Sequence, residues 1–346
     1  MNTRKEPICP ECLPSVDRRD FVRSLALGGV AVAGGATMLN PARLLADSPK
    51  PEIGPMPRVV NTMAEDLVKE LFAGLTDDQK KAVVKPWEHP ARKSVNPNKA
   101  LDKTLKSVYT KPQQELVERI VKAISSDDKG WNQMTRGGTW DASKSFDNTG
   151  ADIFGDPSKG KFAFLFTGHH LTVRCDGDSE SNIAFGGPIY YGHTPPGYNE
   201  RNVFSYQSLK AMEAFNALDP KQREKAVITK GHPGEGPNSI KLTKDGARPG
   251  IAYAELSKDQ QELFVSVLNT LLSPFRQQDG AEVMTIIKQT GGMDKVHMAY
   301  YTEEYEGSGV TKSQPWTFWR LEGPGIVWNF RVLPHVHTFV QIGVPA

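Results

Sequence analysis

The chain has 346 residues, with 42 Lys/Arg against 40 Asp/Glu and a formal net charge of +2. Its first 46 residues hold six of those bases and four of those acids, so the remainder carries 36 of each and no net charge. That balance excludes the basic surplus by which a protein grips nucleic acid through its phosphates, and no Gly-x-Gly-x-x-Gly or Walker-type loop marks a nucleotide fold.

Residues 1–46 read as an address. The twin arginine Arg18-Arg19 precedes Phe21, and a mild apolar run rich in glycine and alanine follows from Leu25 to Leu39. A basic region, a short apolar region and a small-residue end make a secretory signal of the twin-arginine type. At about 15 residues the run is short of the roughly 20 that cross a bilayer. The expectation is therefore a soluble protein, periplasmic or extracellular, whose partner in transit is the twin-arginine export machinery and whose only membrane contact is the signal segment. Cys9 and Cys12 would leave with that segment, and Cys175 would stand alone without a disulfide.

Residues 47–58, DSPKPEIGPMPR, form a proline-rich linker. From residue 59 to 346 a single α+β domain is expected, a helical N-terminal part packed on a largely antiparallel β-sheet. Four helix starts share one device, a cap residue followed three positions on by glutamine: Thr76 with Gln79, Thr110 with Gln113, Asp219 with Gln222, Ser257 with Gln260. KFAFLF, LTVRC, NIAFGGPIYY, KVHMAYYTEE, WTFWRLEG, GIVWNFRVL and HTFVQIG are rich in aromatic and β-branched residues and read as strands, with a hairpin at Gly323-Pro324-Gly325.

The eight histidines include two tight groups. In PHVHTF, His335 and His337 stand two apart, so on a strand both rings leave the same face and converge on one ion. In GHH the geometry is opposite: His169 would share a face with Leu171 and Val173, His170 with Thr172 and Arg174, giving one ligand and one supporting imidazole. His193, in the YYGHTP loop, is an additional candidate, whereas His89 and His297 are read as structural.

A cluster of His169, His170, His335 and His337 suits one zinc, copper or iron ion. Zinc would make a water nucleophile for hydrolysis; copper or iron would open oxygen-dependent oxidation. Glu303, Glu304, Glu306 and Glu322 are the acidic candidates nearby in sequence. The competing reading is a non-catalytic module in which Trp316, Trp319, Trp328, Tyr190, Tyr191, Tyr300 and Tyr301 line a face for a glycan or another small ligand; the other reading of most of these aromatics is sheet core.

Five segments, IFGDP (153–157), GHHLTV (168–173), GGPIYYGHTP (186–195), LSKDQQELF and LEGPGIVWNFRVLPHVHTF, resemble in that order the landmarks of a family known as domain of unknown function 3500. The resemblance covers the chain from about residue 70 to its end. It implies that the GHH and H-x-H motifs belong to one fold, and it favours a common site for His169 or His170 with His335 and His337.

Overall fold

Helix starts follow the local sequence in this protein, and the rest of the architecture grows from them. The computed structural model describes residues 63–95 and 98–345; the twin-arginine segment and the linker lie outside these. Helix α1 (Met63–Ala73) leads into α2 (Asp77–Val83) and the short strand β1 (Val84–Lys85); α3 (Lys111–Ile124) follows, then β2 (Gly150–Asp156), β3 (Lys161–Gly168), β4 (Leu171–Cys175) and β5 (Ile189–His193). The chain then repeats the pattern: α4 (Ser205–Asn216), α5 (Pro220–Ala226), β6 (Val227–Ile228), β7 (Ile251–Ala252), α6 (Lys258–Leu272), α7 (Gln277–Gln289), β8 (His297–Tyr301), β9 (Phe318–Gly323), β10 (Ile326–Arg331) and β11 (Val336–Ile342).

The glutamines do more than cap. Thr76, Asp219 and Ser257 complete capping boxes with Gln79, Gln222 and Gln260, and Gln113 accepts the Thr110 backbone N–H at 2.9 Å. The side-chain amides then pair across helices: Gln79 with Gln113 at 2.7 and 3.1 Å, Gln222 with Gln260 at 2.9 and 2.7 Å. Each pair also donates to helix-end carbonyls, Gln113 to Gly74 O and Gln260 to Ala217 O. The same lock is built twice.

The sheet shows the same duplication. Among the described residues its eleven strands run in the order β1-β2-β3-β4-β5-β11-β10-β9-β8-β6, with β7 paired to β8. Each half is a short strand parallel to its neighbour (β1 on β2, β6 on β8) followed by antiparallel pairs. The expected largely antiparallel sheet is therefore corrected to a mixed one. The parallel strands are only two residues long, too short for their composition to show as a strand.

Following the registers outward from β1 and β6 matches Gly168 with Gly323 and Leu171 with Ile326. The halves meet where β5 and β11 pair, and Ile189 opposite Val340 sits on the pseudo-twofold axis. Each half also repeats a bond to its hairpin, Gly192 N–H to His170 O and Gly343 N–H to Gly325 O, both 3.0 Å.

One face of the sheet, bearing Phe164, Val173, Tyr191, Trp319, Trp328 and Phe330, packs on the helices in the main core. On the other face the loops after β1 and β6 cover a smaller cluster of Val95, Tyr190, Ile240, Val327 and Phe339. All seven aromatics considered above as a glycan platform are at most 6% exposed. They are core, because strand alternation aims them at one layer or the other and both layers are covered.

Candidate metal centre

The histidines gather on the loop-covered face, at one end of the β5–β11 pair. His335 and His337 flank Val336 where β11 begins, and alternation does put both rings on one side: their Nε2 atoms are 2.8 Å apart. His170 arrives from the two-residue β3–β4 hairpin, where φ is +56°, and its Nε2 lies 3.0 Å from that of His337. Gly192, opposite His337 on β5, leaves room for it; a Cβ there would stand 2.4 Å from Val336 O and 3.3 Å from the His170 ring.

Carboxylates decide which nitrogen of two of these rings, His170 and His337, faces the centre. Asp141 Oδ2 is 2.8 Å from His170 Nδ1, and Glu235 Oε1 is 2.7 Å from His337 Nδ1. An ionised carboxylate only accepts, so both Nδ1 atoms carry the proton and both Nε2 lone pairs point inward. Glu235 is held in turn by Tyr305 Oη and Arg331 Nη1, each at 3.0 Å. Burial opposes its ionisation, yet His337, charged once acid protonates it, and Arg331 keep its carboxyl at about 2.

His169 and His193 have the opposite tautomer. Ala142 N–H donates to His169 Nδ1 at 3.3 Å, and Val203 N–H to His193 Nδ1 at 3.0 Å. Their neutral rings therefore carry the proton on Nε2 and are donors in this arrangement. His169 lies against His170, ring centroids 3.9 Å apart, and His193 Nε2 is 3.8 Å from Asp141 Oδ1. Of the adjacent pair, then, His170 faces the H-x-H and His169 lies behind it.

Burial, with Arg331 adding to it, pushes the His337 pKa down to about 4. Burial with Arg136 does the same for His169 and His193. His170 and His335 are lowered further, first by burial and then by His337. The cluster is thus unprotonated at neutral pH. The converging lone pairs of His170 and His337, 3.0 Å apart, repel unless something positive lies between them. Tetrahedral zinc with Zn–N of about 2.0–2.1 Å would need nitrogens about 3.3 Å apart, an opening of a few tenths of an ångström. Arg331 Nη2, 3.1 Å from His335 Nε2, is the donor such an ion would displace.

Asp141 and Glu235 have no signature in the sequence. Each comes from a loop distant in the chain, and each loop has an anchor. Arg136, Trp140, Asp141 and Lys144 all have positive φ, strain held by the buried Trp140 ring packed between Trp131, Phe146 and Phe166. Glu235 sits in KGHPGEG, where His232 Nδ1 accepts Gly234 N–H at 3.2 Å and its ring stacks on Phe318. That histidine shapes the loop and the glutamate reaches the site. Of the acidic candidates named from sequence, Glu306 bonds Arg331 at 3.0 Å at the rim, and Glu322 pairs with Arg320.

Fold and site define an α+β protein with a buried cluster of His170, His335, His337 and Asp141 that can bind a metal ion. The chain belongs to the family described as Protein of unknown function (DUF3500), which matches residues 58–342. No curated protein and no solved structure matches it.

Proposed function

We propose that the protein is a metalloenzyme in which His170, His335 and His337 hold one transition-metal ion, and that its first chemistry is hydrolysis. The observation that carries this reading is the convergence of three Nε2 atoms, two of them aimed by carboxylates on the opposite ring nitrogen. Three neutral imidazoles leave coordination positions open, and an ion held so acidifies bound water and polarises a carbonyl or phosphoryl oxygen.

The protein's own groups complete the chemistry. Asp141 and Glu235 fix the rings and raise their basicity, while His169 and His193 offer Nε2–H donors beside the centre for an oxygen that gains charge in the reaction. Asp141, Glu235 and Glu306 against Arg136 and Arg331 leave one excess negative charge, which favours a cation. If the ion is copper or iron, the same all-nitrogen set directs the protein to oxygen-dependent oxidation of a small molecule.

The twin-arginine signal supports export of the folded, metal-loaded protein to the periplasm or beyond, in keeping with a site whose ligands come from distant parts of a finished fold. Among the described residues no helix is long and apolar enough to cross a membrane.

The test is elemental analysis of the protein purified without a polyhistidine tag, beside the His335→Ala/His337→Ala variant. About one equivalent of a single metal, absent from the folded variant, is expected. No metal in either protein, with none taken up on addition of zinc, copper or iron, would remove the reading.

A further inference from the structure

The duplication gives the histidine site a counterpart at the other end of the β5–β11 pair. Carrying each position across the axis by strand register, or by order along the matching loop, pairs His337 with Gly186, His193 with Val344, and Glu235 with Arg92. Among the described residues no imidazole lies there. In its place is a cavity of about 340 Å³, lined among others by Arg92, Lys93, Gly187, Ile240, Lys241 and Val344. Its size is at the lower end of the roughly 300–1,000 Å³ typical of small-molecule sites.

The walls are apolar and the charges mostly positive. Ile183, Pro188, Ile240, Leu242 and Val344 supply the apolar lining. Arg92, 6% exposed, stacks on Trp87 at 4.0 Å and is bonded to Glu180. Arg174, 2% exposed, lies behind Gly187 and bonds only carbonyl oxygens, those of Pro188, Arg92 and Ser94. Gly187 has φ +135°, and a Cβ there would come within 3.5–3.6 Å of the Arg174 side chain.

Lys93 and Lys241 stand at the rim, with Lys93 Nζ 3.8 Å from Glu180. One guanidinium and two ammoniums in the lining are therefore set against the one carboxylate of Glu180. Asp176 also lies close, behind Gly186, where burial pushes its carboxyl up to about 7; even fully ionised it leaves the site net positive.

We infer that this cavity is a second binding site, separate from the histidine cluster, for a small organic anion: an apolar body with a carboxylate, sulfonate or phosphate head directed at Arg92 and the two lysines. Apolar walls desolvate the body while the buried Arg92 guanidinium, held by the Trp87 carbonyl and already ordered, meets the head without a further ordering cost.

Two dyes that differ by one charge test it on the full-length protein. 8-Anilinonaphthalene-1-sulfonate and N-phenyl-1-naphthylamine share a skeleton, and only the first has an anionic head. Expected is one saturable site that prefers the sulfonate by about tenfold or more. Lys93→Glu/Lys241→Glu should weaken sulfonate binding by about tenfold or more without changing that of the neutral dye. Val344→Trp, placed at the mouth, should weaken both dyes. The His335→Ala/His337→Ala variant should bind both as the parent does, which separates this site from the metal centre. Equal affinity for the two dyes, or sulfonate binding unchanged in the lysine or the Val344 variant, would overturn the proposal.

Discussion

The two ends of the central β5–β11 pair share one backbone plan and have opposite chemistry. At one end, His337, His193 and Glu235 surround a cluster of neutral rings and carboxylates suited to a cation; at the other, Gly186, Val344 and Arg92 border a net positive cavity suited to an anion. The backbone bonds to the two hairpins are alike, from Gly192 to His170 and from Gly343 to Gly325. A duplicated frame thus fixes where a site can lie, and the side chains placed on it decide what the site takes.

Acid should separate the two regions most strongly. Burial lowers His169, His193 and His337 to about 4, so the folded protein binds fewer protons than the unfolded chain between about pH 6.5 and 4. Stability from these rings is present above 6.5 and lost as pH falls through that window, on the order of 3 kcal/mol per ring for the metal-free protein. Near the cavity end, burial raises Asp176 to about 7, and beside it Asp279 to about 6 and Glu282 to about 8. Those carboxyls contribute in the opposite sense, stabilising at low pH and losing that contribution as pH rises through the raised values. Metal-free Asp279→Asn/Glu282→Gln should therefore lose more stability than the parent between pH 7 and 5, read from urea midpoints. Identical losses would show that the two regions do not oppose each other.

A smaller effect isolates the carboxylate that aims His337. Glu235→Gln keeps the shape but can turn an amide N–H toward Nδ1, and metal affinity should fall by about 10- to 100-fold. Competition with a chelator measures it, and the same change should leave binding of the sulfonate dye untouched. An unchanged metal affinity would mean that the His337 tautomer is set without Glu235.

The smallest effect tests the duplication itself. Gln79→Ala and Gln222→Ala remove matching members of the two amide pairs. Each should cost about 1–2 kcal/mol, because each removes the amide–amide bonds to its partner and frees a helix cap. Chemical denaturation of the two variants should give costs close to each other; a large inequality would show that the locks are equivalent in geometry alone.

What could be read in advance follows the range of the interactions. The glutamine caps were legible because a capping box closes over three residues. The shared face of His335 and His337 was legible because strand periodicity is local. The GHH pair was half legible: alternation promised one inward ring, but the tight hairpin with His170 at φ +56° decided which. Asp141 and Glu235 were missed because their partners lie 29 and 102 residues away, and nothing near Trp140 or Gly234 in sequence marks a carboxylate as a ring anchor. The seven aromatics were read two ways, and only the covering layers on both faces made them core.

By itself the sequence determined the α+β class, the helix starts, most of the strands and the imidazoles worth watching, since propensity, capping and alternation act within a few residues. Tertiary structure alone decided that the sheet is mixed, that two halves meet at Ile189 and Val340, and that the two histidine motifs share one centre. Those facts depend on strand registers and loop placements set by contacts between residues far apart in the chain, and no local pattern encodes such a distance.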